Sequence, residues 1–178
     1  MSALSPPVSD RDHVAGPADA RVTLVEYGDF ECPHCGALHP VVQAARKAFG
    51  GNLRFVFRHF PLRSSHPHAL AAAKAAEAAG EQGRFWEMHD RLYRRQTELG
   101  DADLERHARD LGLDVERFLG ALRARTHEVR IREDLASAAE SGARGTPSLF
   151  INGERYEGPL DRDEIFAALA RAAVTTVP

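Results

Sequence analysis

The chain has 178 residues, of which 43% are hydrophobic and 28% are charged, and its formal net charge at pH 7 is −3. This composition fits one globular domain, or one domain with a sizeable insertion. The small negative charge gives no basis for binding nucleic acid or an anionic membrane, and no apolar run reaches the roughly 18 residues that a membrane-spanning helix needs. We therefore expect no nucleic-acid partner and no membrane insertion.

The first 20 residues are polar, contain prolines and predict an irregular lead-in. They lack a basic start followed by an apolar stretch, so they do not have the pattern of a secretory signal. The opening Met1-Ser2-Ala3 is typical of a natural start, which favours the cytoplasm. If a leader has been removed, the expected location is the periplasm or another extracytoplasmic compartment.

The next residues predict a strand, a helix and a second strand. Residues 22–27 (VTLVEY) are rich in β-branched side chains and almost wholly apolar, which predicts a buried strand with one charged member, Glu26. After a pair of cysteines, apolar residues recur at helical spacing until Gly50. Residues 53–60 (LRFVFRHF) predict the second strand, so the two strands are expected to be parallel and joined by a right-handed crossover.

The rest of the chain predicts a helical block followed by a hairpin. Residues 67–142 have a helical pattern throughout, and residues 148–156 predict two short strands around the turn Asn152-Gly153, followed by a last helix. We therefore expect an α/β core interrupted by a helical insertion. The predicted division is a lead-in (1–20), a core in two parts (21–66 and 143–178) and an inserted helical domain (67–142).

The chain has only two cysteines, in the run Cys32-Pro33-His34-Cys35. They open the first helix, where free N–H groups and a partial positive charge favour the thiolate, which is the nucleophilic form of cysteine. Pro33 fits the first helical turn, and His34, if protonated or donating a hydrogen bond, stabilises the thiolate further. One helical turn separates the sulfurs, so they can bond to each other, or Cys35 can attack a mixed disulfide held on Cys32.

A zinc site is the main alternative for this pair. Zinc takes about four ligands, and a second Cys or His pair usually completes the set. The chain has no second cysteine pair. The histidines that could complete a site show no recognised ligand spacing: His34, His39, His59, His66 and His68. The sequence therefore favours redox chemistry and predicts no metal site.

Two further residues could serve the cysteines. Burial of Glu26, six residues before Cys32, should raise the pKa of its carboxyl group. A proton acceptor there would suit the exchange reaction, because Cys35 must lose its proton before it attacks; a solvated glutamate at a sheet edge is the alternative. Pro147, directly before a predicted strand, fits a strand start or a turn, and from these residues alone an ordinary loop proline is favoured over a cis bond.

Two runs, GDFECPHC after a strand and RGTPSLFINGERYEG near the C-terminus, together resemble the DsbA-like branch of the thioredoxin superfamily. The resemblance covers about residues 20–173, and the run FWEMHDRLY looks like a helix typical of these proteins. It implies a thioredoxin fold, in which a central mixed sheet is flanked by helices and carries an inserted helical domain. It also implies a cis-proline loop at Thr146-Pro147, where Thr146 offers backbone groups to a substrate strand and Pro147 shields the dithiol. Glu26 matches the acid that precedes the first cysteine.

These features predict a protein disulfide oxidoreductase in which Cys32 attacks and Cys35 resolves, with its own disulfide and no other cofactor. The expected partners are client proteins, or small molecules, with thiols or disulfides, and an unidentified electron donor or acceptor. The direction stays open among oxidase, reductase and isomerase, because the Pro-His centre favours oxidation and the missing leader favours a reducing compartment. Three alternatives also stay open: a metal-binding module, a non-catalytic thioredoxin-like domain, and a glutathione-linked enzyme of the kappa transferase type, against which the intact cysteine pair argues.

Overall fold

The computed structural model describes residues 3–175, so residues 1, 2 and 176–178 of the predicted first and last segments lie outside the described residues. The strands of this part are β1 (His13–Ala15), β2 (Val22–Gly28), β3 (Leu53–His59), β4 (Ser148–Ile151) and β5 (Glu154–Tyr156). The α-helices are α1 (Pro33–Phe49), α2 (Ala69–Gly80), α3 (Phe85–Arg94), α4 (Asp101–Asp110), α5 (Val115–Arg123), α6 (Glu128–Glu140) and α7 (Arg162–Thr175). The strands form a single mixed sheet in the order β1-β3-β2-β4-β5.

The centre of the sheet is the predicted strand–helix–strand unit. β2 and β3 pair in parallel, with Val22 opposite Leu53, and α1 connects them. β4 pairs antiparallel with β2 and forms a hairpin with β5. Both turn residues of that hairpin have positive φ, 49° at Asn152 and 84° at Gly153, as a two-residue turn that follows the strand twist requires. The predicted parallel strand–helix–strand unit and the predicted hairpin are both confirmed.

The lead-in is not wholly irregular, and this expectation was wrong for residues 13–15. They form the edge strand β1, which pairs antiparallel with β3 and places His13 opposite Phe57. A strand of three residues is too short to show an alternating pattern, so hydrophobic periodicity does not predict it. The segment before it is held by Asp12, whose carboxylate accepts two hydrogen bonds, at 2.8 and 3.1 Å, from the buried Arg58.

Helices cover both faces of the sheet. On one face, α1, α3 and α7 join β2 and β3 in the larger core, which includes Phe55, Met88 and Leu169. On the other face, Ala138 of α6 packs with Val25 of β2 in a smaller core. The helices α2 to α6 come between β3 and β4, where the insertion was predicted. No helix within residues 3–175 is long and apolar enough to cross a membrane.

Candidate active site

The two cysteines lie where β2 passes into α1. Cys32 is the N-cap of α1, with extended backbone angles (φ −72°, ψ 122°), and Pro33 takes the first helical position. Proline fits there because the first N–H groups of a helix have no partner within it. Cys35 is fully buried, and Cys32 is 3% exposed, so even the outer cysteine is largely covered. Both cysteines are free thiols in this structure.

Cys32 lies among groups that stabilise its anion. Hydrogen bonding from the Cys35 thiol lowers the pKa of Cys32 to about 5, although burial opposes this shift. The Thr146 side chain and the backbone N–H groups of Cys35 and His34 also lower the pKa. The imidazole of His34 is exposed to solvent. Among the groups that lower this pKa, His34 therefore acts through its backbone N–H group, whereas the sequence suggested its imidazole.

Cys35 lies in the opposite environment. Burial raises the pKa of Cys35, and the hydrogen bond to Cys32 and the charge of Glu26 raise it further. Glu26 is itself only 2% exposed, and burial raises the pKa of its carboxyl group to about 8. Within the described residues its Oε1 atom has no hydrogen-bond partner, so β2 carries an acid directed into the core beneath the dithiol.

The loop before β4 faces Cys32 from the other side. The thiol of Cys32 lies 3.5 Å from the carbonyl oxygen of Thr146, to which it donates a hydrogen bond. The peptide bond between Thr146 and Pro147 is cis. The loop is closed by Ser148, whose hydroxyl donates to the carbonyl oxygen of Gly145 at 2.7 Å. The fold therefore places Thr146 and Pro147 beside the dithiol, although they are 114 residues from Cys32 along the chain.

Asp29, which the sequence did not single out, organises the loop between β2 and Cys32. It is 1% exposed, and its carboxylate accepts hydrogen bonds from the backbone N–H groups of Glu31 and Leu62, both at 2.8 Å. It also binds Nδ1 of His66 at 2.8 Å, and this hydrogen bond raises the pKa of His66. An aspartate in the turn after a strand was the available signal, but nothing in the sequence shows that Leu62 and His66, which follow β3, are among its partners.

Three of the histidines that were weighed as metal ligands, His59, His66 and His68, have carboxylate partners. His68 binds Glu31 at 2.9 Å, and His59 binds Glu77 at 2.7 Å. Glu77 also binds His13 of β1 at 2.6 Å, so one carboxylate oxygen joins two histidines. These contacts fix the lead-in and the start of the insertion to the end of β3.

Tyr93 of α3 is the second buried group beneath the dithiol that sequence reasoning missed. Its hydroxyl oxygen and Oε1 of Glu26 both lie within 3.0 Å of the point where a Cβ atom on Gly28 would stand. Burial raises the pKa of Tyr93 well above its ordinary value, and the charge of Glu26 adds to this. Gly28 is therefore required at the end of β2, because a side chain there would overlap the two oxygens.

Solved structures share this arrangement of elements. The sequence model of a family described as Thioredoxin matches residues 9–171. A thioredoxin-like oxidoreductase from Silicibacter pomeroyi DSS-3 is 29% identical, with a TM-score of 0.81 over 92% of this chain and 93% of that one. Oxidised BdbD from Bacillus subtilis is 22% identical and has the same fold, with a TM-score of 0.84 over 98% of each chain. The expected α/β class, with a thioredoxin fold, is confirmed.

Curated relatives carry a similar sequence within longer chains. The Na(+)/H(+) antiporter NhaA 1 of Salinispora arenicola (strain CNS-205) is 50% identical over 167 residues. The match takes in 94% of this chain and 26% of the antiporter. The chain thus spans about a quarter of the length of the curated relatives that it matches.

Proposed function

Since the chain belongs to the thioredoxin family, we propose that it is a DsbA-like member that exchanges disulfides with client proteins through Cys32 and Cys35. The observation that carries this proposal is the opposite environment of the two thiols. The pKa of Cys32 is lowered to about 5, whereas burial raises that of Cys35. Cys32 is therefore ionised at neutral pH and attacks, while Cys35 keeps its proton until a mixed disulfide has formed.

The reductive direction runs as two exchanges. The Cys32 thiolate attacks one sulfur of a client disulfide; the client S–S bond breaks, and its other sulfur leaves as a thiolate and takes up a proton. Cys35 then loses its proton and attacks the Cys32 sulfur, which forms the Cys32–Cys35 disulfide and releases the second client thiolate. The client gains two electrons and the protein loses two; the oxidative direction is the same sequence reversed.

We assign the proton transfer from Cys35 to Glu26. The negative charge of Cys32 is one of the causes of the raised pKa of Glu26, after burial. This charge disappears when Cys32 enters the mixed disulfide, so the Glu26 carboxyl group ionises more readily at that stage. The carboxylate can then accept the Cys35 proton when the second exchange requires it.

We assign client binding to the Thr146-Pro147 loop. The carbonyl oxygen of Thr146 lies 3.5 Å from the Cys32 sulfur. An extended client segment that approached Cys32 would reach this backbone first, and it could pair with Thr146 as an added strand. Pro147 has no N–H group, so it covers the dithiol without offering the client a competing donor.

The lowered pKa also bears on direction. At pH 7, a pKa of about 5 in place of 9.0 stabilises the reduced Cys32 about a hundredfold. Since a tenfold change in a two-electron equilibrium is about 30 mV, the disulfide should be more oxidising by about 60 mV than one with an ordinary thiol. In an oxidising compartment the pair would oxidise clients, and in a reducing one it would rest as a dithiol and reduce or reshuffle them.

The proposal is tested with a disulfide-bonded peptide and single cysteine variants. The Cys35→Ser variant should accumulate a mixed disulfide with the peptide, because its second exchange is blocked. The Cys32→Ser variant should form none, because the remaining thiol is buried and protonated. A mixed disulfide in both variants, or in neither, would contradict the assigned roles.

A further inference from the structure

Gln96 follows α3 in the helical insertion and reaches the loop that carries the cysteines. Its side-chain nitrogen donates hydrogen bonds to two backbone carbonyl oxygens, those of Phe30 and Cys32, each at 2.8 Å. The two partners are acceptors only, so they fix which end of the amide faces them. Both hydrogens of one NH₂ group are therefore used to hold the segment between β2 and α1.

Gly36 leaves the space that this contact needs. A Cβ atom at Gly36 would overlap the amide group of Gln96, with its side-chain nitrogen 3.0 Å away. Gly36 lies inside α1, where alanine would ordinarily be more stable by about 1 kcal/mol. The glycine therefore serves the close approach of Gln96 rather than the helix.

We propose that Gln96 is a positioning residue for the dithiol, which ties the Cys32 backbone to the helical insertion and fixes how the first turn of α1 faces the Cys32 sulfur. The inference rests on the proposed function of Cys32. The Cys32 carbonyl also accepts the N–H of Gly36 at 3.0 Å, so Gln96 fills its remaining lone pair. From the other side of the segment, the Asp29 carbonyl accepts the N–H of Cys32 at 3.1 Å.

The expected effect on the chemistry follows from the orientation of this turn. The backbone N–H groups of His34 and Cys35 are among the groups that lower the pKa of Cys32. Once Gln96 is removed, the Cys32 carbonyl keeps only the Gly36 N–H as a donor, so the first turn of α1 is held less firmly and those N–H groups point less closely at the sulfur. We expect the pKa of Cys32 to rise by about one unit and the equilibrium with glutathione to shift about tenfold, which is about 30 mV.

Four variants test the proposal: Gln96→Ala, Gly36→Ala, the double variant and, as a matched control, Gln82→Ala. Gln82 also bridges backbone groups in the insertion, since its amide contacts both the N–H and the carbonyl of Asp114, at 2.8 and 3.2 Å. For each folded variant, the pKa of Cys32 is measured from thiolate absorbance. The redox equilibrium is measured against glutathione, and the stability is measured by urea unfolding.

We expect Q96A and G36A to raise the pKa of Cys32 to a similar extent, and the double variant to add little to either. The Q82A variant should lose stability and leave the pKa and the redox equilibrium as in the wild type. If the Q96A variant matches the Q82A variant in both the pKa of Cys32 and the redox equilibrium, the inference is overturned. Additive shifts of the Cys32 pKa in the double variant overturn it as well. If Q96A does not fold, G36A tests the same contact from the helix side.

These outcomes separate the inference from the proposed function. If the wild-type protein has no thiol of low pKa and forms no disulfide against glutathione, the proposed function itself fails. If the wild type exchanges disulfides and Q96A behaves identically, only the role of Gln96 fails.

Discussion

Replacing Glu26 by glutamine should stabilise the protein, and the gain should grow with pH. The pKa of Glu26 is raised from 4.5 to about 8 in the folded protein because its carboxyl group is buried. Between those two values the folded state binds a proton that the unfolded state lacks, so the stability of the wild type falls as pH rises. One pKa unit is about 1.4 kcal/mol. The raised pKa of Glu26 therefore lowers the free energy of unfolding of the wild type by less than about 1 kcal/mol at pH 5, about 3 kcal/mol at pH 7 and about 5 kcal/mol at pH 9.

The assay is urea unfolding of the reduced wild type and the E26Q variant at these three pH values. Burying the glutamine amide has its own cost, but this cost does not titrate and shifts every comparison equally. The Glu157→Gln variant is the control, because the side chain of Glu157 is 80% exposed and its variant should follow the wild type throughout. A stability difference between E26Q and the wild type that stays constant from pH 5 to 9 would refute the burial of an ionisable acid beneath the dithiol.

Three further predictions concern the surroundings of the site. Gly28→Ala should lower the free energy of unfolding by about 1–3 kcal/mol, measured in urea, because the added Cβ would lie 2.5 Å from the Tyr93 hydroxyl in a packed core. Asp114→Ala removes the side chain that caps α5 and should lower stability by about 1 kcal/mol in the same assay, without changing the rate of disulfide exchange. Asp29→Asn should lower the titration midpoint of His66, followed by NMR, because the carboxylate that raises it is lost; an unchanged midpoint would contradict the pairing.

The elements of the fold were predictable where hydrophobic periodicity is long enough to read. The strand of residues 22–27, the crossover helix and the hairpin at Asn152-Gly153 each had several residues of consistent pattern, and all three are present in the structure. The edge strand of residues 13–15 has three residues and depends on pairing with β3, which is a tertiary contact. Local pattern carries no information about such a contact, so it was missed.

The residues of the candidate site were likewise predictable only in part. Cys32 and Cys35 are one helical turn apart, and this spacing, together with the lack of a second cysteine pair, favoured redox chemistry over a zinc site. Thr146-Pro147 could be linked to them only through the family resemblance, because nothing local joins positions 114 residues apart. Gln96 was not singled out, because a glutamine in a polar run after a helix has no distinguishing pattern; its role depends on two carbonyl groups from another element.

The ionisation of Cys32 is the most direct test of the proposed exchange chemistry. The reduced protein is alkylated with iodoacetamide across a range of pH, and peptide analysis assigns the label to Cys32 or Cys35. We expect Cys32 alone to be labelled at low pH, at a rate that rises with a midpoint near 5. A midpoint near 8.5, the value of an ordinary cysteine thiol, or equal labelling of both cysteines, would contradict it.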